Sequence, residues 1–189
     1  MILATNNKGK LQEIRKILHD YQIFSLKDKN IDIDVREDAD TFYGNALLKA
    51  KAIYDIASEP VIADDSGLCI EALNNFPGVY THRWLDGTDH DRNMGLIDKL
   101  KGINNRTCFF ICNMVYFDRT NIISVEGKLK GTIAFEEKGS NGFAFDSIFM
   151  LDNGKTLAEL TEEEKNEISA RSIACKKLKK ELDKYGYKK

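Results

Sequence analysis

The sequence is poor in proline and has no long hydrophobic run. Only 2 of the 189 residues are proline, and we find no repeat, low-complexity tract or long linker. No apolar segment approaches the roughly 20 residues that a membrane-spanning helix needs. The first residues also lack the charged-then-apolar pattern of a signal peptide. These absences predict a cytoplasmic protein with no membrane partner.

An excess of charge of either sign is also missing. Lys and Arg number 28 against 30 Asp and Glu, which gives a net charge of −2, so the chain as a whole has no electrostatic attraction to nucleic acid. Affinity for a nucleotide would have to come from a local group of basic residues, and we expect no nucleic-acid partner. The length and the hydrophobic content of 42% fit one soluble domain over residues 1–189.

Cysteine is present, but not in a metal-binding pattern. The sequence has 4 cysteines, and Cys108 and Cys112 lie four apart in a β-like run, which is not the spacing of a zinc knuckle. We therefore predict reduced, mostly buried thiols.

The most informative segment is Val61–Ile70, in which two adjacent carboxylates follow a short apolar run. The run reads as a buried strand, and successive strand residues point to opposite faces, so Asp64 and Asp65 cannot both face one ligand. Carboxylates at a strand end, beside Ser66 and Gly67, suit a hard cation and a phosphorylated substrate. A surface turn is the alternative, because Asp, Ser and Gly are also turn residues.

A second candidate lies at the start of the chain. A short apolar strand over Met1–Thr5 leads into the polar loop Asn6–Lys10, and apolar residues at helical spacing follow from Leu11. This order of elements aims backbone N–H groups and the positive end of a helix at an anion. It is not a Walker A loop, because the glycines are missing and Leu11 stands where Ser or Thr would bind magnesium. The alternative is a solvated helix start.

Acidic residues also precede the first long helix. An acidic cluster from Glu37 to Asp40 comes before Thr41, a candidate N-cap, and an amphipathic helix is predicted from Phe42 until shortly before Pro60. Capping is the alternative to metal binding for this cluster. Upstream, alternating residues over Ile31–Val35 predict a half-exposed strand.

The second half of the chain is predicted to be rich in β-structure. Cys108–Phe117 is almost wholly apolar, Ile122–Val125 and Gly131–Phe135 resemble further strands, and Asp118–Asn121 reads as a hairpin turn. A capping box that begins at Thr161 predicts one helix running to about residue 185.

Taken together, these motifs resemble the inosine triphosphate pyrophosphatase family over nearly the whole chain. The family's Thr/Ser-Gly-Asn-x-x-Lys-x-x-Glu opening, first long helix, central aspartate motif, Gly-Phe-Gly-Tyr-Asp-Pro-x-Phe loop and Glu-Lys-x-x-x-Ser-His-Arg motif all have counterparts. In chain order, the matching segments are Ala4–Glu13, Thr41–Ala50, Ala63–Leu68, Gly142–Phe149 and Glu164–Arg171.

The resemblance implies an α/β fold: an elongated mixed β-sheet flanked by helices, with two lobes and a central nucleotide-binding cleft, active as a homodimer. It also implies cleavage of a purine nucleoside triphosphate between its α and β phosphates, assisted by Mg²⁺, with Mn²⁺ as an alternative ion. Asp65 is the implied catalytic residue, placed to activate water, and Glu37 and Asp65 are the implied metal ligands. The implied substrate-binding residues are Thr5, Asn6, Asn7, Lys8, Gly9, Lys10, Ser66, Phe143, Ala144, Phe145, Asp146, Lys165, Ala170 and Arg171. Further candidates are Glu13, Asp64, His82 and Arg83.

The sequence departs from the family where the base is recognised. In the family, a donor such as Arg171 would pair with the 6-oxo group of hypoxanthine or xanthine, whereas adenine carries an amino donor there. Ala170 replaces the family's His, and His82 is a candidate for a replacement ring, with a solvated loop residue as the alternative. In the glycine loop, the positions that usually hold Gly, Gly, Tyr and Pro are occupied by Asn141, Ala144, Phe145 and Ser147. These changes predict a reshaped loop and an altered base preference.

Two alternative functions follow from the same departures. Gly44 stands where the family usually has Glu, so that a nucleotide-binding protein with impaired catalysis is one alternative. A house-cleaning pyrophosphatase for another modified nucleotide is the other. Five retained residues favour the purine triphosphate pyrophosphatase: Lys10, Glu13, Asp65, Lys165 and Arg171.

Overall fold

The computed structural model of the protein describes residues 1–81 and 83–187. The strands are β1 (Ile2–Leu3), β2 (Phe24–Ser25), β3 (Val61–Ile70), β4 (Phe76–Pro77), β5 (Thr107–Phe117), β6 (Ile122–Ile133) and β7 (Phe149–Met150). The helices are α1 (Lys8–Ile17), α2 (Phe42–Ala57), α3 (Asp89–Lys99), α4 (Glu162–Ile168) and α5 (Ala170–Lys184). The strands form one mixed sheet in the order β2-β1-β3-β5-β6-β7, with β4 paired to β3, which confirms the predicted mixed α/β class. Among the described helices, none combines the length and the apolar character that crossing a membrane requires.

The chain is organised into two compact units, each assembled from separate segments. Unit 1 comprises Met1–Ser66, Cys112–Gly127 and the segment from Ala170 onwards. Unit 2 comprises Gly67–Ile111 and Lys128–Ser169. Because the chain passes back and forth between the two units, no single cut in the sequence separates them.

In unit 1, the short strand β1 lies between two parallel neighbours. Ile2 pairs with Phe24 of β2 on one side and with Val61 of β3 on the other. Buried residues of α2, including Ala50 and Ile53, pack against these strands. The apolar start of β3 is therefore fixed in the core, which sets the positions of the two aspartates that follow it.

The start of α2 confirms the predicted cap. Thr41 is the N-cap, and its side chain accepts a hydrogen bond from the Gly44 N–H at 3.0 Å. The Asn45 side chain accepts a second bond from the Ala39 N–H, also at 3.0 Å. These bonds fold the acidic segment back onto the first turn of the helix.

Unit 2 has its own apolar core, to which α3 contributes Leu96 and Ile97 and the segment before β7 contributes Phe145. Helix α3 has Thr88 as its N-cap, which forms a capping box with Asp91. The glycine-bearing segment between β6 and β7 belongs wholly to this unit.

The single helix predicted from Thr161 is wrong. The structure has two helices, because Ser169 adopts an extended backbone with ψ 149° between α4 and α5. Apolar residues continue at helical spacing across this one-residue break, so periodicity does not reveal it. As a consequence, Lys165 falls in unit 2 and Arg171 in unit 1.

Two strand predictions are also corrected. The described segment Ile31–Val35 has no strand, although Ile31 and Ile33 pack against the unit 1 core. Alternating hydrophobicity reports which side chains are buried, but a strand also needs a neighbour for its backbone hydrogen bonds. The two short strands predicted between residues 122 and 135 form one continuous strand, β6, and the predicted hairpin turn before it is present, with the Asp118 N–H bonded to the Asn121 carbonyl.

Within unit 1, α5 approaches the backbone of β6 at a glycine. A Cβ atom added to Gly127 would lie 1.9 Å from the Ala170 carbonyl oxygen and 2.6 Å from the Ala174 nitrogen. Lys177 donates a hydrogen bond to the neighbouring Glu126 carbonyl at 2.7 Å. The absence of a side chain at Gly127 therefore permits the helix to pack directly on the strand.

The four cysteines all lie within the described residues. Each is buried, and none forms a disulfide, which confirms the prediction from their spacing.

Candidate active site

Asp65 is a buried carboxylate in the part of β3 that belongs to unit 1. One of its oxygens accepts a hydrogen bond from the Asn45 side chain at 2.9 Å, and the other accepts one from the Ser66 N–H at 2.9 Å. The Lys49 ammonium lies 4.0 Å from the latter oxygen. Burial raises the pKa of Asp65 above its ordinary value, in spite of the opposing effects of Lys49 and Asn45. Asp65 is thus a fixed carboxylate with an increased affinity for a proton.

Lys49 links three acidic residues. Its ammonium donates to the Glu37 carboxylate at 2.7 Å and to the Asp64 backbone carbonyl at 2.6 Å, and it lies near Asp65. Burial opposes its charge but is outweighed by the attraction of Asp64, Asp65 and Glu37, so the pKa of Lys49 is raised. Lys49 therefore remains charged among these carboxylates.

Asn45 and Lys49 are site residues to which the sequence reasoning gave no role. They lie four apart in α2, a spacing that places two side chains on one face of a helix. The signal was present in the sequence: two polar residues share a face with otherwise apolar neighbours, on the helix that precedes the aspartate strand.

Asp64 has a different set of partners. Its carboxylate accepts from Lys10 at 2.8 Å and lies 3.5 Å from Arg171 Nε, while Arg171 also pairs with Glu13 at 2.9 Å. Burial opposes the charge of Asp64, but the attraction of Lys10, Arg171 and Lys49 outweighs it and holds the pKa well below its usual range. Asp64 is a permanent anion that orients two cations.

The loop before α1 has the predicted geometry of a helix start. Asn7 is the N-cap, and its side chain accepts from the Lys10 N–H at 3.1 Å, while the Thr5 hydroxyl accepts from the Asn7 N–H at 3.2 Å. The predicted residues Asn6, Asn7, Lys8 and Gly9 are exposed. An exposed helix N-terminus with lysines can attract an anion.

A second cluster lies within unit 2, around Phe143. This ring is 49% exposed, and the Lys165 ammonium sits 4.5 Å from its centroid. Asp146 forms an ion pair with Lys165 and accepts a hydrogen bond from the Phe143 N–H at 2.8 Å. An exposed ring, an acceptor and a donor are thereby brought together.

The other predicted residues differ in accessibility. Phe145 is 1% exposed and belongs to the core of unit 2, so only its backbone is available to a ligand. Ala170 is buried at the start of α5 in unit 1, and Ser66 is partly buried at the end of the unit 1 part of β3. Arg83 lies over the Tyr80 ring in unit 2, and His82 lies outside the described residues.

Comparison with known proteins shows similarity over nearly the full length. A model of the Ham1 family matches residues 1–181. The chain is 41% identical to a dITP/XTP pyrophosphatase of Clostridium tetani (98% of this chain, 96% of the relative). It is 44% identical to a dITP/XTP pyrophosphatase of Borrelia duttonii (96% of each chain).

Solved structures give the same result. The Ham1 protein of Staphylococcus aureus superimposes with a TM-score of 0.90 at 34% identity, over 97% of this chain and 98% of that one. A nucleoside-triphosphatase/dITP/XTP pyrophosphatase of Mycobacterium abscessus superimposes with a TM-score of 0.78 at 35% identity, over 94% and 97% of the two chains.

Proposed function

The chain belongs to the Ham1 family, and from this premise we propose that it is a dITP/XTP pyrophosphatase. It hydrolyses non-canonical purine nucleoside triphosphates, of the ITP, dITP and XTP type, to the monophosphate and pyrophosphate. Relatives that are 41% and 44% identical carry the name of this activity, and the motif resemblance to inosine triphosphate pyrophosphatases predicts the same reaction.

The environment of Asp65 is the observation that carries the proposal. A general base must be held in place and must have a pKa that lets it accept a proton during the reaction. Asn45 and the Ser66 N–H hold the carboxylate, and burial raises its pKa. Asp65 takes the proton from the water that attacks the triphosphate.

The start of α1 binds the polyphosphate. Backbone and side-chain donors at this helix N-terminus come from Thr5, Asn6, Asn7, Lys8 and Gly9. Lys10 adds a positive charge, and its ammonium is held in place by the Asp64 carboxylate at 2.8 Å. Ser66 contacts the substrate beside Asp65. Hydrolysis of a triphosphate depends on such positioning and on neutralisation of its negative charge.

Glu37 and Asp65 would hold Mg²⁺, with Mn²⁺ as the alternative ion. Their carboxylate oxygens are the hard donors that these ions prefer, and they already flank the cation of Lys49. The described residues contain no group of three or more His, Cys, Asp or Glu that could hold a metal. Two carboxylates together with substrate phosphates are a common way to bind Mg²⁺. When bound, the ion would withdraw charge from the phosphate oxygens.

The residues around Phe143 bind the base. The exposed ring can stack on a purine, Asp146 supplies an acceptor and Lys165 a donor, and Ala144 and Phe145 contribute through their backbone. Arg171 is proposed to donate a hydrogen bond to the 6-oxo group of the base. To do so, its guanidinium must weaken its ion pair with Glu13 or bind Glu13 and the base at the same time. Ala170, where the family has His, supports a shifted base preference, in which His82 and Arg83 are candidate participants.

We propose that the whole chain acts as one pyrophosphatase domain and that it forms a homodimer. The family match over residues 1–181 includes segments of both units, which supports the single domain. The dimer rests on the family resemblance, and light scattering on the purified protein would test it.

Pyrophosphate release from dITP, XTP, dATP and dGTP tests the activity. We expect release from dITP and XTP with Mg²⁺, loss of release with EDTA, and loss of turnover in Asp65→Asn with the fold intact by circular dichroism. Asp55→Asn, an exposed position on α2, is the matched control and should retain full turnover.

Other results of the same assay would assign the alternatives. Tight binding of dITP without pyrophosphate release indicates a nucleotide-binding protein with impaired catalysis. Release from another modified nucleotide, with none from dITP or XTP, indicates a house-cleaning pyrophosphatase of different specificity.

A further inference from the structure

The loop Gly142–Ser147 in unit 2 has a backbone conformation that its residues do not favour. Ala144 has φ +53°, a left-handed conformation that L-residues other than Asn and Asp rarely adopt. The family resemblance places glycine at this position and proline where Ser147 stands. Contacts from outside the loop must therefore offset the cost of a left-handed alanine, which a glycine would not incur, and supply the rigidity that a proline in place of Ser147 would provide.

The first turns of α3 supply contacts on both sides of Ala144. The Asp89 carboxylate accepts a hydrogen bond from the Ala144 N–H at 2.9 Å. The Asn93 side-chain amide donates to the Ala144 carbonyl at 3.1 Å. The peptide groups on both sides of the left-handed residue are thus attached to one helix.

Asn93 also reaches the far end of the loop. It is 2% exposed, and its amide nitrogen lies 3.0 Å from the Ser147 hydroxyl and 2.6 Å from one Glu137 oxygen. Ser147 donates to that same oxygen at 3.0 Å, and the other Glu137 oxygen contacts His90. One buried amide therefore connects both ends of the loop to a carboxylate.

Glu137 is a stable anchor for this amide. Burial opposes its charge, but hydrogen bonds from Asn93, His90 and Ser147 outweigh burial and hold the pKa of Glu137 below its usual value. The carboxylate is therefore ionised at neutral pH, and it accepts charge-assisted hydrogen bonds, which are stronger than neutral ones.

Of the groups proposed to bind the base, Asp146 lies between these two attachment points and Phe143 directly precedes the first of them. Asp146 accepts from the Phe143 N–H and pairs with Lys165, so its direction depends on the backbone at Ala144 and Ser147. We propose that Asn93, anchored by Glu137, is a positioning residue that fixes the loop Gly142–Ser147 and thereby sets the selectivity among purine bases. This inference rests on the proposed function and adds residues that do not themselves touch the base.

The competing explanation is that Asn93 only satisfies buried polar groups. Its loss would then lower stability without changing which purine is preferred. Selectivity and the separation of KM from kcat distinguish the two explanations, because a purely structural role changes neither.

The test compares the full-length wild type with Asn93→Ala and Ser147→Ala in the presence of Mg²⁺. The matched control is Asn105→Ala, an exposed position in the same unit whose side chain bonds the Thr107 N–H and Glu71. Each protein is assayed for kcat and KM on ITP, XTP and dATP. Calorimetry gives the Kd of a non-hydrolysable ITP analogue, and thermal unfolding gives Tm.

We expect the ratio of kcat/KM for ITP to that for dATP to fall roughly 3- to 10-fold in both Asn93→Ala and Ser147→Ala. This is the effect of losing one or two hydrogen bonds. The change should come mainly from a higher KM for ITP, and the control should keep the wild-type ratio. A lower Tm with ratio and KM within about twofold of the wild type would overturn the inference. If Asn93→Ala does not fold, Ser147→Ala decides by the same ratio, since it removes a single hydroxyl.

Calorimetry separates failure of this inference from failure of the proposed function. If the wild type releases no pyrophosphate but binds the analogue, the proposed activity is wrong. A Kd raised roughly 3- to 10-fold in the variants would still support the positioning role, and an unchanged Kd would overturn it. A wild type that neither hydrolyses ITP nor binds the analogue overturns both.

Discussion

At the scale of single residues, two adjacent carboxylates in β3 have opposite acid–base properties. Lys10 and Arg171 keep Asp64 ionised in spite of its burial, whereas burial raises the pKa of Asp65. Strand alternation predicted that the two would have different roles, and the family resemblance implied Asp65 as the base. The partners that create the difference come from distant parts of the chain, so adjacency in sequence could not identify them.

Lys49 is expected to be necessary for both stability and turnover. Lys49→Gln removes the cation that Glu37, Asp64 and Asp65 share, and uncompensated buried carboxylates should lower the free energy of unfolding by about 3 kcal/mol. Urea unfolding measures this change, and pyrophosphate release from dITP should fall at least about 100-fold. Lys51→Gln, an exposed position on the same helix, should change neither quantity. Equal effects of the two substitutions would contradict this assignment.

Two substitutions in the loop Gly142–Ser147 should change stability in opposite directions. Gly142 has φ +79°, and a Cβ there would lie close to the Asp146 carboxylate, so Gly142→Ala should lower stability by about 1–3 kcal/mol. Ala144→Gly relieves an unfavourable left-handed residue and should be neutral or stabilising by up to about 1 kcal/mol. Thermal unfolding of both variants checks the opposite signs. A Gly142→Ala protein as stable as Ala144→Gly would show that the loop does not hold this conformation.

At the scale of elements, helix starts were predictable and interruptions were not. Thr41 has a capping side chain next to an amphipathic run, so α2 was located from local chemistry. Ser169 breaks the final helix without a proline, a glycine or a change of period. The break is instead associated with tertiary structure, because α5 packs in unit 1 while α4 belongs to unit 2.

Packing of α5 on β6 should depend on Gly127. Gly127→Ala would place a methyl group inside the contact distance of two backbone atoms of α5, and overpacking of this kind costs about 1–3 kcal/mol or more. We expect a lower Tm by differential scanning calorimetry. Ser124→Ala, on the exposed side of the same strand, is the control and should leave Tm nearly unchanged. A Gly127→Ala protein with the wild-type Tm would show that the helix is not seated on the strand.

The hairpin turn before β6 should make stability depend on pH. Asp118 accepts hydrogen bonds from the Thr120 and Asn121 N–H groups, each at 2.8 Å. Burial opposes its charge, but these bonds, together with those from side chains, lower its pKa from 3.8 to about 2. A depressed folded pKa gives stability that is present above the unfolded value and is lost as pH falls through the folded one.

Asp118→Asn should therefore lower the free energy of unfolding at pH 7 by about 1 kcal/mol, after allowance for solvent screening. The difference from the wild type should shrink as pH falls below the ordinary value of 3.8 and disappear below about 2. Urea unfolding at a series of pH values measures it. A difference that is constant over this range would mean that the charge of Asp118 does not stabilise the turn.

At the scale of the whole molecule, composition and length predicted one domain, while the structure resolves two compact units with interleaved segments. Strands β3, β5 and β6 each contribute residues to both units. A hydrophobic pattern in the sequence covers only a few helical turns or strand residues. It therefore does not show that one long strand packs partly in one core and partly in another. The Ham1 family match spans residues 1–181 and therefore includes segments of both units.

The buried cysteines can test whether this shared set of strands makes unfolding cooperative. Cys112 and Cys175 lie in unit 1, and Cys69 and Cys108 lie in unit 2. Burial raises the pKa of the Cys108 and Cys112 thiols and brings that of Cys175 to about 12. Because the thiolate is the reactive form, native thiols should resist N-ethylmaleimide. Labelling in increasing urea, read by peptide mass spectrometry, should give all four cysteines the same midpoint. A lower midpoint for the two cysteines of one unit would show that this unit unfolds before the other. The shared strands β3, β5 and β6 would then lose their packing in one core while they keep it in the other.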